Sequence, residues 1–286
     1  MQRGNEETKN MKEKMKENIK NYFRSYKEFS FWRILAYFII YSVIGFILET
    51  LFGLATTGVI ESRKSFLYGP FCGVYGLGAV VMIITLSHFK KSNARLFLGG
   101  LIVGSIVEYA VSFFGELLFS VKWWDYSSEP LNINGRICVY YSVIWGVLAI
   151  FLLSIVNPRI DKFIDFIKKK IPGKYLKTVE MTILSLIVID FIISVYAMVA
   201  FYARTVVERD IDVDNRGIIN VVYEVIYSNE EISKLTKKLF SDEKMMRTFP
   251  NLKMQDKNGE IIYFDSLYPD IQTYYFKLEL KKPQEE

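Results

Sequence analysis

Two apolar stretches of the chain share a short signature in which a glycine is followed, four residues later, by a glutamate. The first pair is Gly45 and Glu49, and the second is Gly104 and Glu108. A charged side chain at the centre of a bilayer costs roughly 2.5–3.5 kcal/mol on insertion scales, so such residues usually have a function. A carboxylate at that depth can bind a solute or carry out general acid–base chemistry. The two glutamates are therefore the first candidates for a functional site.

Five apolar segments are available to carry such residues across a membrane. Each is long enough for a hydrocarbon core about 30 Å thick, and they lie near residues 33–54, 67–87, 96–119, 137–156 and 182–203. The composition agrees, because 51% of the residues are hydrophobic and 16% are aromatic. The sequence therefore predicts an all-α integral membrane protein with a five-helix transmembrane bundle over residues 33–203.

The bundle is flanked by two regions of different character. Residues 1–32 are predicted to be a cytoplasmic amphipathic segment, in which an apolar stripe over residues 11–29 indicates an interfacial helix or a short coiled coil. Residues 204–286 are predicted to be a small soluble tail, where Asn258-Gly259 indicates a β-hairpin. A second amphipathic stripe over residues 160–171 follows Asn157-Pro158, which we expect to end the fourth helix and start an interfacial one.

The distribution of basic residues predicts the orientation. Lysine and arginine are frequent before the first span and between the fourth and fifth, and sparse in the loops at 55–66 and 120–136. The positive-inside rule then places the N-terminus in the cytoplasm and both sparse loops outside. Five crossings put the tail outside the cell membrane as well, whereas a re-entrant second segment would reverse that side. The net charge of +5 comes from these flanking residues and follows no nucleic-acid-binding motif.

The two glutamate signatures are followed by further similar features. Arg63 and then Tyr75-Gly76 come after Glu49, while Arg136 and then Trp145-Gly146 come after Glu108. This order is compatible with two tandem two-helix repeats plus one helix, as in transporters built from parallel repeats. Chance similarity between apolar helices is the alternative.

A polar pocket that opens outward is the sharper expectation for these residues. In it Arg63 and Arg136 would pair with Glu49 or Glu108, whereas snorkelling to the interface is the plainer interpretation of both arginines. Asp190 is a further intramembrane acid, expected to be protonated or hydrogen-bonded to Ser185 or Ser194. Trp123, Trp124 and Tyr126 are interpreted as an interfacial aromatic belt. The candidate binding residues are Glu49, Arg63, Tyr68, Glu108, Ser112, Asp125, Asn134 and Arg136.

Three runs of sequence resemble a bacterial membrane family called putative ABC-transporter type IV, or CmpB-like. The first run begins Tyr41-Ser42-x-x-Gly45-Phe46-x-x-Glu49 and continues through Arg63-x-x-Phe66-Leu67-Tyr68-Gly69-Pro70-Phe71 and Val74-Tyr75-Gly76-x-Gly78-Ala79. The second is Trp124-Asp125-Tyr126-Ser127 with Leu131-Asn132-Ile133-Asn134-Gly135-Arg136-Ile137-Cys138, and the third is Met246-Arg247-Thr248-Phe249-Pro250-Asn251. Family members often have Asn-Arg-Gly where this chain has Ser62-Arg63-Lys64. The resemblance implies a membrane permease and names no substrate.

A permease subunit is accordingly the favoured function. The chain has no G-x-x-x-x-G-K-[ST] motif, so an ATPase would have to be a separate subunit, and a small five-helix bundle would need to oligomerise. Two alternatives remain open: a membrane-embedded enzyme acting on a lipid-linked substrate, and a structural or sensory membrane protein. No cofactor, metal site or nucleophile motif is predicted, and Cys72 and Cys138 have no disulfide or metal spacing. The expected partners are the lipid bilayer, an ATPase subunit and further copies of the chain.

Overall fold

The computed structural model describes residues 29–119 and 121–278. The amphipathic segment predicted over residues 1–28 lies outside this range. The described residues are mostly helical, and four stretches are long and apolar enough to cross a membrane. These are α1 (Phe31–Thr57), α3 (Asn93–Phe119), the continuous run Val139–Lys170, and α6 (Gly173–Glu208). A fifth apolar helix, α2 (Gly73–Leu86), is shorter and continues into a 3₁₀ turn at Ser87–Phe89.

The ends of α1 show how the sequence sets its length. The Ser30 hydroxyl accepts a hydrogen bond from the Arg33 backbone N–H at 3.3 Å and caps the start of the helix. At the other end Gly58 has a left-handed φ of 71°, and its N–H binds the Leu54 carbonyl at 3.0 Å. A glycine adopts that conformation without the penalty a Cβ would bring, so the helix stops there.

The predicted break at Asn157-Pro158 is wrong. Helix α4 (Val139–Phe151) passes through a π-helical turn at Leu152–Val156 directly into α5 (Asn157–Lys170). Pro158 falls in the first turn of α5, and the wider π turn before it accommodates a residue that lacks a backbone N–H. The stripe over residues 160–171 therefore continues the fourth apolar helix, and its Ile164 is buried against α1 and α2.

The bundle is built from neighbouring helix pairs. Helix α1 packs along α2, α3 packs along α4, and α6 contacts both α1 and α3. A buried apolar cluster joins the pairs and is formed by Ala36, Tyr37, Tyr41, Ala79, Val80, Met82, Ile83, Leu86, Leu96, Ala149, Leu153 and Ile164. Apolar residues that point away from this cluster are exposed on the bundle surface, as expected for helices surrounded by lipid.

The tail encloses the end of α6. Residues 197–206 of that helix are buried on nearly every side, whereas the exposed apolar residues between Val179 and Ile192 lie on the preceding turns. The enclosing elements are α7 (Arg216–Tyr227), α8 (Glu230–Leu239), α9 (Asp242–Thr248), β2 (Lys253–Gln255), β3 (Ile261–Tyr263) and α10 (Phe264–Leu267). The predicted hairpin is confirmed, since β2 and β3 are antiparallel and Gly259 has a positive φ of 86° in the turn.

The tail also pairs with both loops that precede α2 and α4. Strand β4 (Tyr274–Lys277) is antiparallel to β1 (Val59–Glu61), with Val59 opposite Lys277. The backbones of Lys122 and Lys253 exchange two hydrogen bonds of 2.8 and 2.9 Å. Residues 58–72, residues 121–138 and the described part of the tail therefore share one side of the bundle, which we call the tail side. The opposite side, where α1 begins, we call the N-side.

Candidate functional site

Each Gly-x-x-x-Glu signature receives an aromatic ring from the neighbouring helix. A Cβ atom added at Gly45 would lie 2.2 Å from Cβ of Tyr75 on α2. A Cβ atom added at Gly104 would lie 2.5 Å from Cβ of Trp145 on α4. Both separations are far below van der Waals contact, so only glycine permits each pair of helices to approach this closely.

The polar atom of each ring then binds the glutamate one turn further along. The Tyr75 hydroxyl donates to Glu49 Oε1 at 2.6 Å, and the Trp145 indole N–H donates to Glu108 Oε2 at 3.0 Å. The two signatures therefore have one structural meaning: the glycine makes room for the ring, and the glutamate accepts its hydrogen bond. This arrangement explains why the residues are spaced by one helical turn.

The two helix pairs meet at these rings. The centroids of Tyr75 and Trp145 are 5.8 Å apart, so the two carboxylates bind rings that lie beside each other. Glu108 is 6% exposed and accepts a further hydrogen bond from the Tyr126 hydroxyl at 3.0 Å. We call Glu49, Tyr75, Glu108, Tyr126 and Trp145 the carboxylate cluster.

The arginines have other partners than the sequence suggested. Arg63 forms an ion pair with Glu61 at 2.7 Å, and Arg136 forms one with Glu116 at 2.5 Å. Glu61 is two residues from Arg63 on the tail side, and Glu116 lies two turns beyond Glu108 along α3. These acids are closer to the surface, so pairing there avoids the cost of bringing a guanidinium to membrane depth. The expected pairing with Glu49 or Glu108 is therefore corrected.

The remaining predicted site residues lie around the cluster or apart from it. Ser112 is buried one turn beyond Glu108. In the loop before α4, Asn134 donates to the hydroxyl of Tyr109 on α3 at 2.9 Å, and Asp125 accepts from the Ser127 hydroxyl at 2.7 Å. Tyr68 lies elsewhere on the tail side, where its hydroxyl accepts from Lys244 Nζ at 3.2 Å.

Three members of the carboxylate cluster, Tyr75, Tyr126 and Trp145, are not among the residues predicted for the site. Tyr126 was interpreted as part of an aromatic belt, yet its ring stacks on Tyr141 at 4.5 Å and its hydroxyl binds Glu108. The signal for the other two was the aromatic–glycine pair that follows each glutamate signature. That pattern does not show that each aromatic side chain donates a hydrogen bond to the glutamate of the preceding helix.

Asp190 fastens a non-helical stretch to α6. Residues 62–72, all of which the structure describes, form neither helix nor strand, so α2 begins at Gly73 and the predicted span from residue 67 is too long. The Asp190 carboxylate accepts the backbone N–H groups of Tyr68 at 3.2 Å and Gly69 at 2.9 Å. The Ser194 hydroxyl accepts that of Leu67 at 2.9 Å and donates to Asp190 at 3.3 Å. The predicted contact between Asp190 and Ser194 is confirmed.

A second polar cluster, on the N-side, was not predicted. Arg33 of α1 pairs with Asp161 of α5 at 3.0 Å, and the Tyr37 hydroxyl donates to the same carboxylate. Asn157 links this group to the Tyr41 hydroxyl through hydrogen bonds of 3.1 and 3.0 Å. These contacts hold the start of α1 against the first turns of α5, and they explain why Asn157 is buried.

Comparison with protein families gives one match. A model described as "Putative ABC-transporter type IV" covers residues 36–195, which is more than half of the chain. The chain belongs to this family. The match to the type IV family contains the whole carboxylate cluster, both arginines and the Asp190–Ser194 pair. It ends before the tail, so the resemblance noted at residues 246–251 lies outside it. Searches of curated proteins and of solved structures found no match.

Proposed function

We propose that this type IV family member is a permease subunit whose transported solute passes the carboxylate cluster. One observation supports the proposal: two carboxylates, one from each helix pair, lie within the apolar helices α1 and α3 and bind rings that lie beside each other. Among the described residues their hydrogen bonds come from neutral donors, Tyr75, Tyr126 and Trp145. Two acids without a cationic partner favour a positively charged group, so we propose a solute that carries one.

The proposed arrangement has five crossings, with α2 and the stretch before it forming the second. Two tandem units, α1–α2 and α3–α4, would then be related by an axis along the membrane normal. Equivalent contacts support this. A Cβ at Gly76 would lie 2.8 Å from the Phe38 carbonyl oxygen, and one at Gly146 would lie 2.9 Å from that of Phe97. The spacing that relates Glu49 to Glu108 also relates Phe38 to Phe97.

The orientation can be tested by single cysteines that react with a membrane-impermeant maleimide. We expect Ser128→Cys and Glu260→Cys to be labelled from outside intact cells, because the tail side is proposed to be extracytoplasmic. Lys91→Cys, on the N-side, should react only after permeabilisation. All three positions are exposed, while the native Cys72 and Cys138 are buried. Labelling of Lys91→Cys alone in intact cells would reverse the orientation.

The transport function can be tested on the complex purified from its native membrane. We expect an ATPase subunit to co-purify, since this chain has no phosphate-binding loop of its own.

The variants Glu49→Gln and Glu108→Gln keep a hydrogen-bond acceptor but lose the charge. We therefore expect normal assembly and at least a tenfold loss in the rate at which reconstituted vesicles transport the cationic solute. Glu129→Gln, which changes an exposed carboxylate in the loop before α4, is the matched control.

Transport at the wild-type rate by the double variant Glu49→Gln/Glu108→Gln would contradict this proposal. Copurification of further copies of the chain would support the proposed homo-oligomer.

An enzyme acting on a lipid-linked substrate is the second candidate. It is favoured by Glu108, a carboxylate held by a tyrosine hydroxyl and an indole N–H beside the stacked rings of Tyr126 and Tyr141. Such a group can act as a general acid or base. A lipid-linked or nucleotide-linked sugar found in the purified protein, together with its turnover, would favour this candidate over transport.

A further inference from the structure

A cavity separate from the carboxylate cluster opens between α1, α5 and α6 near the N-side. It has a volume of about 210 Å³. Its wall is mostly aliphatic and includes Ile39 and Ile40 of α1, Ile164 and Ile167 of α5, and Ile183 of α6. Such a wall suits a hydrocarbon chain.

Two of the lining residues carry opposite charges. Glu180 of α6 and Lys168 of α5 both border the cavity. The Oε2 atom of Glu180 is buried and has no hydrogen-bond partner among residues 29–119 and 121–278. A carboxylate set in an aliphatic wall is costly unless a positive group or a donor meets it, so a ligand that brings a positive group into the cavity would be stabilised there. Lys168 is exposed and lies in the basic run that ends α5.

The height of these charges matches that of lipid head groups. Lys177 of α6 lies over the Trp32 ring of α1 at 5.4 Å, and tryptophan and lysine are typical of the membrane interface. Glu180 comes about one turn further into α6, beneath that level. A molecule in the cavity therefore has its polar end at the interface and its apolar end among the isoleucines.

We propose that this cavity binds a phospholipid whose head group ends in a primary ammonium, as in phosphatidylethanolamine. The ammonium donates a hydrogen bond to the Glu180 carboxylate, and Lys168 contacts the phosphate. One acyl chain lies along Ile39, Ile40 and Ile183. A choline head group carries the same charge but has no N–H to donate, so it satisfies Lys168 and leaves Glu180 unpartnered.

The test compares the two head groups on the full chain in nanodiscs that contain equal amounts of phosphatidylethanolamine and phosphatidylcholine. Native mass spectrometry measures which lipid remains bound after gentle activation. We expect the wild type to retain phosphatidylethanolamine with a preference of about tenfold, the order expected for one charge-assisted hydrogen bond. Glu180→Gln keeps a neutral acceptor but loses the charge that strengthens this hydrogen bond, so the preference should fall close to onefold. Lys168→Ala should weaken retention of both lipids alike, because both carry the phosphate.

The exposed tail carboxylate Glu231 provides the matched control, and Glu231→Gln should retain the wild-type preference. If Glu180→Gln does not fold, Ile183→Trp tests the same site by filling it, and loss of both bound lipids is then expected. Equal retention of the two lipids by the wild type, or a preference that survives Glu180→Gln, overturns the proposal. Equal retention is also the result expected if residues 1–28, and not a lipid, fill the cavity. The proposal does not depend on transport.

Discussion

Replacing Asp190 by alanine is expected to lower the free energy of unfolding by about 2–6 kcal/mol. The carboxylate accepts the backbone N–H groups of Tyr68 and Gly69, and each buried donor left without an acceptor costs about 1–3 kcal/mol. Water cannot replace the acceptor cheaply, because Asp190 lies midway along a membrane-crossing helix and the hydrocarbon region offers no hydrogen bonds. Chemical or thermal unfolding of the protein in nanodiscs measures the change.

Two further variants on α6 test whether the loss of stability comes from the missing hydrogen-bond acceptor or would follow any substitution on this helix. Asp190→Asn keeps one carbonyl oxygen that can accept a hydrogen bond, so we expect a smaller loss than for alanine. Ser185→Ala removes a hydroxyl from the exposed surface of the same helix, and we expect a change within about 0.5 kcal/mol. Equal stability of Asp190→Ala and Ser185→Ala would show that the fastening of residues 67–69 is unimportant.

Replacing Gly100 by alanine is expected to destabilise the α3–α4 pair strongly. The new Cβ would lie 2.2 Å from Cβ of Ala149, 3.0 Å from the Trp145 carbonyl oxygen and 3.3 Å from Cα of Gly146. None of these atoms is the end of a flexible side chain, so the helices must separate. Overpacking typically costs about 1–3 kcal/mol, and we expect a loss at the upper end of that range.

The neighbouring glycine is a matched control on the same helix. A Cβ at Gly99 would meet only the Leu86 side chain, with Cδ2 at 2.5 Å, and that flexible end can rotate away. Both substitutions improve helix propensity by the same amount, up to about 1 kcal/mol, so the difference between them reports the packing alone. Because α4 carries Trp145, its fluorescence should shift in Gly100→Ala and stay constant in Gly99→Ala. Identical behaviour of the two variants would contradict the close approach of α3 and α4.

Much of the membrane part of the fold can be predicted from hydropathy, because long apolar runs form helices in lipid whatever their neighbours. The start of α2 could not be predicted in this way. Residues 66–71 are apolar apart from their backbone, and their non-helical conformation depends on the distant Asp190 and Ser194, which accept backbone N–H groups there. At Pro158 the error was the opposite one, since a helix was predicted to end where it continues. A proline normally ends a helix, but a π turn formed by the preceding residues allows α5 to continue.

Of the candidate site, the sequence predicted the two glutamates at the helix contacts but not the residues that bind them. The Gly-x-x-x-Glu spacing indicated Glu49 and Glu108 because a carboxylate is costly at membrane depth, while a glycine one turn away allows another helix to approach. Their partners depend on how two helices pack, which no local pattern records. Arg63 and Arg136 were assigned to the glutamates by charge alone, whereas Glu61 and Glu116 offered the same attraction nearer the surface.

The β1–β4 sheet has a consequence for the order in which the protein is assembled. Strand β1 follows the first membrane helix, but its partner β4 comes after the last one. At a synthesis rate of about 5–20 residues per second, β4 is completed roughly 10–40 s after β1. During that interval Val59–Glu61 presents unpaired backbone groups, and a neighbouring copy whose β4 is already complete could pair with it. Newly made chains at high local density are therefore expected to yield strand-exchanged dimers.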